Sequence, residues 1–106
     1  MEVKYLKEEK VLILKMTEEL DHHTVEKLRR KSDYEIERYI PRKVIFDFNQ
    51  VSFMDSAGIG LILGRYKNVS MLGGRLEVTN VSGQVFKILN MSGISKLIDI
   101  NKEECA

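Results

Sequence analysis

The stretch KVIFDFNQVSFMDSAGIGLILG, residues 43–64, changes character partway along, and that change decides the fold. Over Lys43 to Phe48, the residues Val44, Phe46 and Phe48 fall on one side, and Ile45 and Asp47 on the other. A period of two marks a strand. Ser56 to about Leu72 then reads as a helix, with Gly73-Gly74 as its stop. A strand that feeds a helix is the building unit of a parallel sheet.

The rest of the chain repeats the unit. Val3 to Leu6 and Val11 to Met16 read as a two-stranded hairpin joined across Lys7 to Lys10. The second of these, VLILKM, is nearly continuous in apolar residues, as in a strand covered on much of both faces. A helix starts at ELDHHT (19–24), with Asp21 as its N-cap, and runs to about Tyr39. Its inward stripe is Val25, Leu28, Ser32, Ile36 and Tyr39, while Glu26, Arg29, Arg30 and Asp33 stay wet. Pro41 ends it, because the residue before proline is pushed out of the α region.

Downstream, RLEVTN (75–80) alternates with Leu76 and Val78 inward. Ser82 caps a third helix through Met91, with Val85, Phe86, Ile88 and Leu89 apolar, and a short strand follows over Leu97 to Ile100. The order β-β-α-β-α-β-α-β predicts an α/β fold: one small domain over residues 1–106, with a mixed, mainly parallel sheet and right-handed crossovers. Polar residues alternating along KVIFDF and RLEVTN place the helices largely on one face.

Composition removes several function classes. With 17 basic and 16 acidic side chains the formal charge is +1, too little excess to hold a nucleic-acid backbone or a membrane surface. The longest apolar run, Ala57 to Gly64, is too short to span a bilayer, and the charged start MEVKYLKEEK has no secretory h-region. A single cysteine, Cys105, leaves no internal disulfide, and a reducing cytoplasm is expected. In that setting the N-x-S triplets at Asn68, Asn80 and Asn90 are chance matches. No long apolar edge or heptad is visible, so a monomer is expected.

The candidate sites cluster at two places. GIGLILG (58–64) is one residue off the dinucleotide fingerprint, and its glycines lie inside the helix instead of the turn before it. Gly60 and Gly64, four apart on one face, read as close-packing positions. His22 and His23, adjacent in a first helical turn, should point about 100° apart. With no third ligand at compatible spacing, no metal site is expected. Ser56 lacks the G-x-S-x-G setting and an arguable base, so catalysis is not expected. Asp55 or Ser56 caps the helix. A phosphate on Ser56 would sit at a helix N-terminus that tolerates a dianion, beside an apolar surface of Met54, Ala57 and Ile59. There it would penalise a docked partner.

ELDHHT at 19–24, SFMDSAGIGLILGRYK at 52–67 and MSGI at 91–94 strongly resemble the sporulation anti-sigma factor antagonists, the SpoIIAA type of the STAS-domain family. The likeness spans nearly the whole chain. It implies partner switching: the unmodified antagonist binds a SpoIIAB-like anti-sigma factor, which is also a serine kinase, and frees the sporulation sigma factor, sigma-F. Phosphorylation ends the binding and a SpoIIE-like phosphatase resets it. ATP and magnesium belong to the kinase, and the antagonist carries no cofactor. The serine after aspartate in D-S-x-G is Ser56, and Ala57 stands where some members have a second hydroxyl. Glu18 stands where many have glycine, and a final helix should be short or absent. The expected contact surface is Asp21, His22, His23, Met54, Asp55, Ala57, Gly58, Ile59 and Gly60. An antagonist for a general stress sigma factor, and a nucleotide-binding protein, are the alternatives.

Overall fold

The structure is a computed structural model that describes residues 1–102. Strand β1 (Glu2–Leu6) pairs antiparallel with β2 (Val11–Lys15). Beyond them β3 (Lys43–Asp47), β4 (Arg75–Val81) and β5 (Asp99–Lys102) join in sequence order, each parallel to the one before. Helices α1 (Val25–Tyr39), α2 (Ser56–Met71) and α3 (Gly83–Ser92) fill the crossovers. Each crossover advances the sheet in the same direction, so a common right hand puts all of them on one face.

Burial agrees. The registers Leu12–Val44–Leu76 and Leu14–Phe46–Val78 form two rows that are buried in every strand. The row between them, Ile13–Ile45–Glu77, faces the other way and is only partly covered. Lys43 pairs with Glu77 on that open face, and Asn101 donates to Glu77. Leu28 and Ile36 of α1, and Leu61, Ile62 and Val69 of α2, close the core from above. Each such side chain, fully buried, stabilises by about 1.5–3 kcal/mol.

Four expectations need correcting. Helix α1 begins at Val25, and Asp21 does not cap it: its carboxylate accepts from the N–H groups of His23 (2.9 Å) and Thr24 (3.2 Å), closing a turn ahead of the helix. Thr24, at the true cap position, spends its hydroxyl on the Glu19 carbonyl at 2.7 Å. Asp33 is not simply wet, because Arg65 and Asn68 of α2 reach it. The last strand starts at Asp99, since a 3₁₀ turn over Ile94–Lys96 absorbs the residues before it.

The fourth correction concerns the glycines. A Cβ at Gly60 or Gly64 would meet nothing within 4 Å, so neither is a packing device. The close approach is at Gly58, where a Cβ would stand 2.2 Å from Met54 Cγ and 3.1 Å from Leu20 Cβ. The α2 stop is as expected, with Gly73 at φ 82°. Cys105 and any final helix lie outside the described residues.

Candidate functional site

Two loops leave the carboxyl ends of neighbouring parallel strands, where ligands and partners of such sheets collect. One follows β2 and carries Glu18 to Thr24; the other follows β3 and carries Asn49 to Asp55. They are stitched together by backbone. The Leu20 N–H donates to the Phe53 carbonyl (3.2 Å), and the Asp55 N–H donates to the Leu20 carbonyl (3.1 Å). This makes Leu20 and Met54 a parallel bridge, a short extension of the sheet beyond its named strands.

A side-chain clasp reinforces the stitch. Glu19 accepts from the Ser52 hydroxyl at 2.6 Å and from the Ser52 N–H at 2.9 Å. These bonds, the hydroxyl's first, hold the Glu19 carboxyl below its ordinary pKa despite partial burial. Nearby, Glu18 pairs with Lys27 at 2.9 Å, which depresses its pKa in the same way.

Asp55 is the N-cap of α2, accepting from the Ala57 N–H at 2.8 Å. Its second carboxylate oxygen lies 3.6 Å from Nδ1 of His22. Burial alone would raise the Asp55 pKa, but the N–H groups of Ala57, His22 and Gly58, with the His22 ring, outweigh it. The carboxyl is held below its ordinary value, so it stays charged and keeps gripping the helix start. Ser56 is the first residue of that helix and is exposed.

The structure therefore sets His22 against Asp55 and, through Leu20, holds the turn that carries Asp21, His22 and His23 to the loop that leads into Ser56 and Ala57. The histidines do not diverge, however. They sit in a turn and not a helix, and their rings pack 4.0 Å apart. Met54 is also misplaced as a docking residue: bridging to Leu20 turns it inward, to 1 % exposure. Gly58 lies buried against it, leaving Ala57 and Ile59 half-buried and Gly60 exposed. The apolar group that does face outward is Phe53, 45 % exposed, displaced from the core because its chain neighbour Met54 took the inward position. Arg65 was missed too. It shares a stripe with Leu61 and Val69 at spacings of four, and a charge on an otherwise buried stripe is the signal that marks it.

Stitched together, the two loops present one continuous surface. The two histidine rings contact each other, His22 alone approaches Asp55, and among the described residues no three His, Cys, Asp or Glu side chains converge on a point. No described helix is long and apolar enough to cross a membrane. What the surface offers is one exposed hydroxyl on a helix N-terminus, framed by a charged carboxylate, an imidazole pair and a phenyl ring.

Comparison with known proteins gives the chain a family. The STAS domain family matches residues 2–104. The anti-sigma F factor antagonist of Paenibacillus polymyxa is 39 % identical over 94 residues, covering 89 % of this chain and 80 % of the relative. The solved structure of the anti-sigma factor antagonist SpoIIAA in its unphosphorylated form superposes with a TM-score of 0.80 at 31 % identity, over 96 % of this chain and 88 % of that one. The Bacillus cell fate determinant SpoIIAA in its phosphorylated form gives 0.71 at 30 % identity, over 96 % and 91 %. With its mixed five-stranded sheet and its helices on one face, the chain belongs to the STAS-domain family.

Proposed function

We propose that this protein is an anti-sigma factor antagonist of the sigma-F system, switched by phosphorylation at Ser56. The observation that carries the reading is the exposed Ser56 hydroxyl at the start of α2, on a helix end stitched to the Asp21–His23 turn. Similarity to an anti-sigma F factor antagonist, and to SpoIIAA in both of its forms, supports it. The chain is a non-enzymatic, cytoplasmic monomer. Its partner is a SpoIIAB-like anti-sigma factor that supplies ATP and magnesium as a serine kinase. A SpoIIE-like phosphatase reverses the modification.

In the switching step the γ-phosphoryl of ATP bonds to Ser56 Oγ, ADP leaves, and the hydroxyl proton passes to the kinase or to water. The product puts a charge of about −1.5 to −2 where the partner sits, next to the already ionised Asp55. A 100-fold loss of affinity needs about 2.7 kcal/mol, within what an unpaired charge forfeits on leaving water.

The test incubates the chain with the purified anti-sigma factor and ATP, followed by intact mass and peptide mapping. One phosphoryl group is expected, on Ser56, and none on the Ser56→Ala variant. Calorimetry should then find tight binding of the unmodified chain and about 100-fold weaker binding of the phosphorylated one. Modification at another residue, or equal affinities, would overturn the assignment.

A further inference from the structure

A single apolar side chain on a protein surface is common and needs no explanation. Phe53 differs in where it stands and in how it is held. Of the large apolar side chains left exposed among the described residues, it alone belongs to the two stitched loops. Side chains alternate along an extended segment, and the Leu20–Met54 bridge is one. With Met54 turned inward, Phe53 and Asp55 leave on the opposite side, and Ser56 follows at once.

The backbone is fixed on both sides of the ring. Before it, Glu19 accepts from the Ser52 N–H at 2.9 Å and the Ser52 hydroxyl at 2.6 Å. The Phe53 carbonyl accepts from the Leu20 N–H, and the Asp55 N–H donates to the Leu20 carbonyl. Asp55 then caps α2. A phenyl side chain has only two rotatable bonds, so on this support little freedom is left to lose when it docks. Met71 and Met91 are more exposed, but they are flexible side chains at the carboxyl ends of α2 and α3, far from Ser56 along the chain.

We propose that Phe53 anchors the complex by entering an apolar pocket of the anti-sigma factor, with Glu19 as the positioning residue that aims the ring. The identity of the partner rests on the function proposed above; the role of the ring rests on its exposure and its fixed backbone. Rigid aromatic side chains that fill a partner's pocket carry much of the energy of protein interfaces. The ring itself selects the pocket's chemistry. Against a polar surface it would stay partly wet, whereas an apolar pocket removes its remaining face from water. Anchor and switch then act on one contact: the ring supplies affinity to the unmodified chain, and a phosphate three residues later opposes the fit.

Calorimetry of the full chain against the purified anti-sigma factor tests this with wild type, Phe53→Leu, Phe53→Asn and Phe53→Ala. Leucine and asparagine are close in size and differ in polarity, so an apolar pocket separates them. Wild type should bind best and Phe53→Leu next, with Phe53→Ala and Phe53→Asn weaker than wild type by more than about 10-fold. The heat capacity of binding should be less negative for Phe53→Leu than for wild type, a readout that holds even where the two smaller variants fold poorly. Urea midpoints report stability separately, and affinities should not follow them. Glu19→Ala should weaken binding about 5-fold with Phe53 present and less than about 2-fold in the Phe53→Ala chain. A smaller loss for folded Phe53→Ala, equal affinities of Phe53→Leu and Phe53→Asn, or an unchanged heat capacity would overturn the anchor. The same effect of Glu19→Ala in both chains would overturn the positioning role alone. A wild-type chain that does not bind the anti-sigma factor would overturn the proposed function and the anchor with it.

Discussion

Gly58 and Gly64 lie in the same helix, yet they should answer alanine with opposite signs. In a helix interior the Gly→Ala change gains up to about 1 kcal/mol. At Gly64 nothing opposes that gain, and denaturant unfolding should show stabilisation of about 0.5–1 kcal/mol. At Gly58 the new methyl would collide with Met54 and crowd Leu20, both fully buried. Overpacking of that kind costs about 1–3 kcal/mol, so Gly58→Ala should be destabilised. Equal shifts at the two positions would show that Met54 repacks freely. Sequence spacing alone misassigned these glycines. It tells which residues share a helix face, but not whether another element covers that face. Here the cover comes from Leu20 and Met54, a bridge made outside the strands that periodicity identifies.

At the scale of elements, the clasp between Glu19 and Ser52 reinforces the backbone bonds that stitch the two loops together. Its carboxyl is depressed by those hydrogen bonds, so the clasp stabilises the folded state fully above the unfolded value of about 4.3. The contribution disappears as pH falls through the lower, folded value. Glu19→Gln should therefore lose roughly 1 kcal/mol at neutral pH, and converge on wild type in acid. Urea midpoints measured from pH 3 to 7 would check this, and a constant gap across that range would refute it. The elements themselves were largely readable: alternation in KVIFDF and RLEVTN gave the two central strands and the buried face of each. Their ends were less so. The α1 start was displaced because Asp21 and Thr24 both bond into the turn ahead of the helix, a competition that propensity does not arbitrate. His22 and His23 came together for the same reason, since a turn does not impose the angular step of a helix.

For the whole molecule, the division between the sheet's two faces and its carboxyl edge determines what a phosphate can disturb. The core rows Leu12–Val44–Leu76 and Leu14–Phe46–Val78 are closed by α1 and α2 from one side, away from the exposed Ser56 hydroxyl. At the edge, the α2 N-terminus attracts a dianion by about 0.3–1 kcal/mol, while the ionised Asp55 next to it repels one by a comparable amount. These terms nearly cancel, so modification of Ser56 should alter association without altering the fold. The unfolding free energies of the two forms should agree within about 1 kcal/mol, against the 2.7 kcal/mol or so expected in partner binding. Hydrogen exchange should change only over the stitched loops and the first turn of α2, leaving β2, β3 and β4 as protected as before. If phosphorylation instead loosened those central strands, the switch would act by weakening the domain, and the rigid-surface account would fail.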